Sequence, residues 1–330
     1  MTALGDLAGL TREALGAGVR AGAVERLRGG SRKGVYRVHL EGAGAPSVLV
    51  YRWDEAEDFW PVTHAAVQGD PLAPVSGLAP FLTAHGTLDD AGVRVPRVLL
   101  ADGSRRRHPA DVAVVEDVTG GSLDTLLATG DPRAAAVLGE LAAMLDVMHR
   151  HRAPRYGNVH ALAHGALPPG VPCERRILDG ALRDVAEAAR RDRRIADAAD
   201  ALRDRLCALA EQVRPRAEHG LVHGELGPDH VLVDTAGHPV LIDIEGLSFF
   251  DVEWEHAYLQ LRFGEHYRAL ARPGLDPHRL GLYALATHLS LVTGPLRLLD
   301  GDFPDREGME AIVEHNLASA LALLAAADRP

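Results

Sequence analysis

The 330-residue chain has 47% hydrophobic and 25% charged residues, which predicts a folded protein with a substantial core rather than a disordered one. Its formal net charge of −11 excludes a basic nucleic-acid-binding or membrane-surface protein and slightly favours a cationic small-molecule partner. The two cysteines lack metal-ligand spacing, and the N-terminus does not have the character of a signal peptide. The longest uncharged run (281–296) is too short to span a bilayer and is interrupted by Gly294-Pro295. These features predict a soluble, cytoplasmic protein.

The N-terminal part of the chain predicts a helix followed by a small sheet. Residues 2–25 predict a helix and the start of a strand. A glycine-rich stretch (27–34) follows, and strands are predicted after it at Val35–Leu40 and Ser47–Trp53. Glycine lets backbone amides approach phosphates closely, so Gly29, Gly30, Ser31 and Gly34 are candidate nucleotide contacts; a plain hairpin turn is the alternative. Lys33 in this stretch is the chain's only lysine, which we interpret as coding bias.

Residues 54–150 alternate between helical and strand patterns. Prolines interrupt helical patterning until about Phe81–Leu88, and this segment could be an insertion or lid. Residues 92–101 and Val112–Val115 predict strands, and the polar segment 116–122 follows the second of these. Asp131 and Pro132 supply the cap and first position of a helix that ends near Arg150.

The C-terminal half is mainly helical in pattern. Prolines and glycines predict a loop over 152–172, which could line a small-molecule site, and a charged, alanine-rich stretch over 174–215 predicts one or two helices. A further helix opens at Phe249, and others lie near Pro277–Thr293 and Glu307–Ala326.

The most informative stretch is Leu221–Gly246. Two β-branched runs, Val231–Val233 and Val240–Ile244, flank a turn and predict an antiparallel hairpin. A polar loop precedes the hairpin and acids follow on its second strand, so functional side chains are predicted to lie close together. The alternative is a solvated turn followed by an edge strand with outward-facing acids. The gathered residues are His223, Glu225, Asp229, His230, Asp243 and Glu245.

The residues HGELxxDHVLVD followed by LIDIEG resemble the HGDLxxxNVLVD…vIDfe pattern of the aminoglycoside phosphotransferase and choline-kinase-like families. The resemblance implies an α+β, protein-kinase-like fold: a small antiparallel-sheet N-lobe (1–115), a hinge (116–122) and a larger helical C-lobe (123–330). It also implies a Mg²⁺-dependent phosphotransferase that moves the γ-phosphate of ATP or GTP to a hydroxyl of a small molecule, such as an aminoglycoside-like or other antibiotic or a metabolite.

The resemblance also implies roles for individual residues. Glu225 falls at the base that activates the acceptor hydroxyl, with His223 as a second catalytic candidate unless it only packs structurally. The metal-ligand positions fall on His230, Asp243 and, as an extra oxygen donor on the same strand face, Glu245.

The nucleotide side of the site is implied by three further positions. Arg52 stands where kinases have the strand lysine that pairs with phosphates, but no glutamate lies in 79–91 to be its ion-pair partner. The hinge would bind adenine through the backbone around Glu116 and Val118.

Asp251 and Glu255 fall at acidic positions that brace the catalytic loop or meet the acceptor, unless they only favour a helix N-terminus.

Two other functions stay open from the residues alone. The chain departs from the family pattern at three positions: Arg52 replaces a lysine, Glu225 an aspartate and His230 an asparagine. Together these replacements indicate a kinase-fold nucleotide-binding protein without catalysis. A zinc hydrolase built on His223, Glu225 and His230 is the third hypothesis, although no further ligand is identifiable.

Overall fold

The computed structural model describes residues 3–27, 30–42, 44–60, 75–106, 108–165 and 171–327. Gly29 and residues 61–74 of the predicted insertion or lid lie outside the described residues. The chain divides into two compact units: unit 1 is 1–59, 74–144 and 228–246, and unit 2 is 60–73, 145–227 and 247–330. The predicted hinge (116–122) lies inside unit 1, and the predicted boundary between lobes stays a prediction.

Unit 1 is built on an antiparallel sheet with strand order β1-β2-β3-β5-β4. One face is covered by helix α1 (Ala3–Leu15), whose Leu7 and Leu10 pack against Val38, Val50 and Val114. The strands at Ser47–Trp53 and Asp111–Glu116 consist mostly of apolar residues because both of their faces are covered. The strands are β1 (Arg20–Arg26), β2 (Gly34–Glu41), β3 (Ser47–Trp53), β4 (Val98–Asp102) and β5 (Asp111–Glu116).

The opposite face of the sheet packs on helix α2 (Leu78–Asp90), close to where the sequence predicts a helix. The rings of Tyr51 and Trp53 lie 5.5 and 5.6 Å from that of Phe81, centroid to centroid. Side chains alternate along β3, and its pairing with β2 and β5 has no register shift. Arg52 therefore lies on the α1 face of the sheet, opposite to Tyr51.

Two strand predictions in unit 1 need shortening. The strand predicted over 92–101 is only β4, because Pro96 has no N–H to donate and the carbonyl of Arg94 accepts from Leu241 instead. The predicted hairpin is confirmed as β9 (Val231–Val233) paired with β10 (Pro239–Leu241). Its second strand does not continue to Ile244, since residues Ile244–Gly246 form a 3₁₀ turn.

The helices of unit 1 beyond the sheet follow the predicted hinge. Ser122 caps α3 (Leu123–Thr129), a helix that the sequence analysis did not predict, by accepting a hydrogen bond from the amide of Thr125. The predicted helix near 131–150 is α4 (Arg133–Arg150), which passes from unit 1 into unit 2.

Unit 2 has a helical core in which α6 and α7 pack against α9 and α10. The proline at 295 does not break α9 as the sequence predicts, because Val292 before it lies in this core and Leu296 after it packs against the core. The predicted stretch 174–215 forms two helices. The four core helices are α6 (Cys173–Arg191), α7 (Arg193–Gln212), α9 (Pro277–Leu299) and α10 (Arg306–Ala327).

Unit 2 also contains a small antiparallel sheet, with strand order β6-β8-β11-β7, that the sequence analysis missed. Part of the predicted loop 152–172 is β6 (Arg152–Ala153), β7 (Gly157–Asn158) and helix α5 (Val159–Ala163). The helix predicted to open at Phe249 begins later, because Ser248–Phe250 is strand β11, which pairs with β8 (His219–Val222). Helix α8 follows over Val252–Phe263.

Helix α10 has the length and composition of a membrane span. Over Arg306–Ala326 its mean hydropathy reaches 1.2, and 17% of the window is buried. A single helix that meets these criteria is weak evidence for a membrane, since helices of soluble proteins meet them too. The predicted absence of a membrane partner stays a prediction.

Candidate active site

Lys33 is the centre of a charged cluster in unit 1. Its Nζ donates to Asp243 Oδ1 at 3.0 Å and to Glu245 Oε1, and it lies 5.4 Å from the centroid of the Tyr51 ring. The residue is only 8% exposed. Burial lowers the pKa of the amine, but Glu245 and Asp243 outweigh burial and raise this pKa above its usual value, so Lys33 is charged.

No role was predicted for Lys33 from the sequence. The chain uses arginine at its other basic positions, so one lysine inside a glycine-rich loop was the available signal. An ammonium presents a compact charge that fits between two carboxylates, whereas the guanidinium is a planar fork.

Asp243 is held in an unusual backbone conformation at the end of the hairpin. Its φ of 58° lies in the left-handed region, where aspartate is tolerated better than most residues with a Cβ. Its side chain is 48% exposed, and Oδ2 lies 3.8 Å from Nε2 of His230. Backbone strain of this kind clusters at functional sites, and here it directs a carboxylate towards solvent and towards its neighbours.

Glu245 lies beside Asp243, but for a different reason than the sequence predicts. The expected alternation along a continuous strand does not apply, because the strand ends at Leu241 and Glu245 belongs to the 3₁₀ turn. That turn nevertheless brings both carboxylates to Lys33.

The carboxylates of unit 1 fit a divalent cation. Nε2 of His230 is 3.7 Å from Oδ2 of Asp229, and the cluster brings three carboxylates, those of Asp229, Asp243 and Glu245, near one ammonium, that of Lys33. Oxygen donors suit Mg²⁺, whereas the imidazole of His230 is the less suitable ligand. Asp243 and Asp229 would hold the ion, since their side chains are 48% and 47% exposed, whereas Glu245 is buried against Lys33.

A separate group of possible metal ligands in unit 2 is already neutralised. Cys173, His219 and Asp251 bring their ligand atoms within 4.8 Å of one another, and all are buried. However, Asp251 accepts from the guanidinium of Arg279 and, at 2.5 Å, from the hydroxyl of Tyr283, so a protein cation already pairs with it. The group includes none of the residues of the zinc-hydrolase hypothesis.

Asp251 is therefore a structural centre of unit 2. It is 1% exposed, and Arg216 and His219 lie 3.8 and 3.4 Å from its Oδ1. Burial raises the pKa of this carboxyl, but hydrogen bonding to His219 and attraction by Arg279 hold it below its usual value. This placement leaves Asp251 enclosed by protein groups rather than exposed to an acceptor.

Glu255 braces the loop that carries Glu225. The Glu255 carboxylate is fully buried and accepts hydrogen bonds from the backbone amides of His223, at 2.5 Å, and of Gly224 and Leu226. Burial raises its pKa to about 7, and these hydrogen bonds oppose the shift. Of the two predicted catalytic residues, Glu225 is exposed on this braced loop, whereas the side chain of His223 is buried.

Arg52 has acidic partners that the sequence analysis could not assign. It pairs with Asp54, and its Nη1 lies 3.9 Å from Oε2 of Glu57. Both acids precede α2 rather than lying within it. Glu57 also accepts from the hydroxyl of Tyr36, and its carboxylate fills the space where a Cβ of Gly34 would lie.

The glycine-rich loop and the predicted hinge are held by local contacts. Gly30 has φ 75°, and the carbonyl of Ser31 accepts from the amide of Phe59 at 2.9 Å. In the hinge, the Glu116 side chain accepts from Arg94 at 2.9 Å and its backbone amide donates to the carbonyl of Arg97, while Val118 is buried. The predicted adenine contact through the backbone around Glu116 and Val118 stays a prediction.

Comparison with known proteins identifies the family. Residues 24–284 match the sequence model of the phosphotransferase enzyme family, which is most of the chain. The chain belongs to this family. Membership supports a phosphotransferase activity and confirms the resemblance seen in the central motif. A search of curated proteins finds no match.

Solved structures of the family share the fold. The spectinomycin phosphotransferase APH(9)-Ia, in complex with ADP and spectinomycin, is 12% identical with a TM-score of 0.62, covering 97% of this chain and 98% of that one. APH(2")-IIia, with GDP and kanamycin, is 17% identical with a TM-score of 0.59, covering 96% and 98%. The choline kinase LicA from Streptococcus pneumoniae is 13% identical with a TM-score of 0.58, covering 97% and 99%. The predicted α+β, protein-kinase-like fold is confirmed.

Proposed function

We propose that this member of the phosphotransferase enzyme family transfers the γ-phosphate of ATP or GTP to a hydroxyl group of a small molecule, with Mg²⁺ as cofactor. The observation that carries the proposal is the half-exposed carboxylate of Asp243, which a left-handed backbone directs into an acidic cluster at the end of the hairpin. When bound, the metal would neutralise charge on the nucleotide phosphates.

The acceptor side of the reaction rests on Glu225. Its carboxylate would accept the proton of the acceptor hydroxyl, and the backbone on both sides of it is held by Glu255. Glutamate is longer than aspartate by one methylene group but carries the same functional group. A braced backbone with an exposed carboxylate is the arrangement that a positioned base requires.

The acceptor class follows from charge and from the neighbours. The net charge of −11 favours a cationic acceptor, and spectinomycin and kanamycin are the compounds bound in two of the neighbouring structures. An aminoglycoside-like antibiotic is therefore the first acceptor to test. A cytoplasmic location is part of the proposal, supported by two cysteines that form no disulfide.

The first test is a thermal-shift titration with ATP and with GTP, each with and without Mg²⁺, followed by an assay of ADP or GDP release with an acceptor panel. Selective binding raises the melting temperature as nucleotide concentration exceeds the dissociation constant. We expect a Mg²⁺-dependent shift that Asp243→Asn abolishes. Acceptor-dependent turnover should be lost in Glu225→Gln while nucleotide binding remains.

The alternative is a nucleotide-binding protein without catalysis. Lys33 between Asp243 and Glu245, and histidine at position 230, favour it because both reduce the oxygen donors open to a metal. A nucleotide shift that is independent of Mg²⁺, without turnover on any acceptor, would support this alternative. No shift with either nucleotide would contradict both functions.

A further inference from the structure

The buried ammonium of Lys33 stands at the place where the acidic cluster of unit 1 meets the sheet. Its Nζ contacts Asp243 and Glu245 and lies on the Tyr51 face of β3. The residue immediately precedes β2, whose first residue, Gly34, pairs with Arg52 of β3. Lys33 and Arg52 are thus two basic side chains at this corner of the sheet that could bind a phosphate.

Arg52 is poorly placed for that task. Strand alternation puts it on the α1 face of the sheet, whereas Tyr51, Lys33 and the acidic cluster lie on the other face. On its own face it pairs with Asp54 and lies near Glu57. A nucleotide phosphate beside Asp243 would have to draw the arginine away from these acids and around the strand.

Lys33 has the opposite properties. A charged amine that is 8% exposed requires anionic partners, and two carboxylates supply them in the nucleotide-free protein. If the carboxylate of Asp243 engages a different cation, a nucleotide phosphate is the anion that can replace it at Nζ. The flexible four-carbon side chain of lysine allows such a change of partner without movement of the sheet.

We propose that Lys33 of the glycine-rich loop, and not Arg52 of β3, is the phosphate-binding cation of this protein, and that it neutralises Asp243 and Glu245 until nucleotide binds. This inference rests on the proposed function, because it requires a nucleotide at the site. The competing interpretation is a purely structural ion pair that ties the loop to the 3₁₀ turn.

The chain's single lysine makes the proposal directly testable by chemical labelling. In an acyl phosphate of ATP, an acyl group is linked to the terminal phosphate of ATP through a mixed anhydride. The Lys33 ammonium would lose a proton, and the neutral amine would then attack the acyl carbon and form an amide, while ATP leaves with the electrons of the broken C–O bond. We expect peptide mass mapping to show acylation of Lys33 that excess ATP or GTP blocks. The N-terminal amine is the internal control for non-specific acylation, because it lies on a different peptide.

A binding comparison separates phosphate contacts from base contacts. Lys33→Met should weaken ATP about tenfold or more, the loss expected for one charge-assisted hydrogen bond, and leave adenosine affinity unchanged. Lys33→Arg should recover part of the ATP affinity. The matched variant Arg52→Met should change the ratio of ATP to adenosine affinity less than threefold. Retained adenosine binding shows that each variant is folded.

The outcomes distinguish the inference from the proposed function. If the wild-type protein binds neither ATP nor GTP, the proposed function fails. If it binds nucleotide but Lys33 is acylated no more than the N-terminal amine, and Lys33→Met keeps the wild-type ratio of ATP to adenosine affinity, the function stands and Lys33 is only a structural ion pair. A ratio that falls in Arg52→Met instead would assign the phosphate contact to Arg52.

Discussion

The carboxylate of Glu57 packs directly against the backbone of Gly34, in the space where any other residue would place its Cβ. Glu57 is buried there and also accepts a hydrogen bond from the hydroxyl of Tyr36. Gly34 was a candidate for close approach of a phosphate. The structure instead shows close approach of a protein carboxylate, so this glycine is required by the contact with Glu57.

We therefore expect Gly34→Ala to destabilise unit 1. The added methyl group must displace Glu57 from Tyr36 and Arg52, at a cost of roughly 1–3 kcal/mol, which urea denaturation would measure. Gly44→Ala is the matched control, because a Cβ at Gly44 would meet no atom within 4 Å, and its effect should stay within about 0.5 kcal/mol. Equal effects of the two substitutions would contradict the steric argument.

The left-handed backbone at Asp243 predicts an inverted preference between glycine and alanine. At φ 58° alanine is disfavoured by about 1 kcal/mol, whereas glycine is not, so Asp243→Gly should be more stable than Asp243→Ala by about that amount. Both variants lose the same ion pair with Lys33, which cancels in the comparison.

Asp300, at the end of α9, provides the control for this comparison. Its φ of −70° is right-handed, so Asp300→Ala should be more stable than Asp300→Gly by up to about 1 kcal/mol. Denaturant midpoints of the four variants test both signs. The same order of stability at both positions would show that Asp243 is not held in the left-handed region.

The ion pair between Arg279 and Asp251 should be important for the stability of unit 2. Arg279 and Asp251 are each 1% exposed, and Asp251→Ala leaves a buried guanidinium without this partner. We expect a loss of about 3–5 kcal/mol in the free energy of unfolding. Glu314→Ala, which removes the exposed pair with Arg194, is the control and should cost much less, because solvent screens that pair. Similar losses would mean that burial does not strengthen the dependence on Asp251.

Local pattern was sufficient where a structural element is defined by its own residues. The hairpin Val231–Leu241 was predictable because β-branched runs flank a turn, and α2 because its apolar residues share one face. The sheet of unit 2 was missed because β6, β7 and β11 have only two or three residues, too few for a strand period to be visible.

The site depends on contacts that no local pattern reveals. Lys33 and Asp243 are separated by 210 positions in the sequence, so their ion pair follows from how the loop and the hairpin pack. The face on which Arg52 lies was equally invisible, because the resemblance supplied its position along β3 but not its partners Asp54 and Glu57. A family pattern predicts the position of a residue along the chain, whereas packing against neighbouring residues determines which side chain lies in the site.

The buried carboxyl of Glu255 predicts a specific pH dependence of stability. Its pKa is about 7 in the folded protein and 4.5 in the reference state, so the folded state keeps a proton that the unfolded chain has released over this range. The contribution of Glu255 to stability is complete below pH 4.5 and is lost as the pH rises through 7, by about 3 kcal/mol in total.

Glu255→Gln isolates this contribution, because glutamine cannot ionise and its amide oxygen can still accept from the backbone of the loop that carries Glu225. Urea denaturation of both proteins between pH 4.5 and 7.5 gives the difference in unfolding free energy, from which all other titrating groups cancel. We expect wild type to lose stability relative to Glu255→Gln as the pH rises. A difference that stays constant would show that the backbone amides balance the effect of burial on the pKa of Glu255, and a change in favour of wild type would show that they outweigh it.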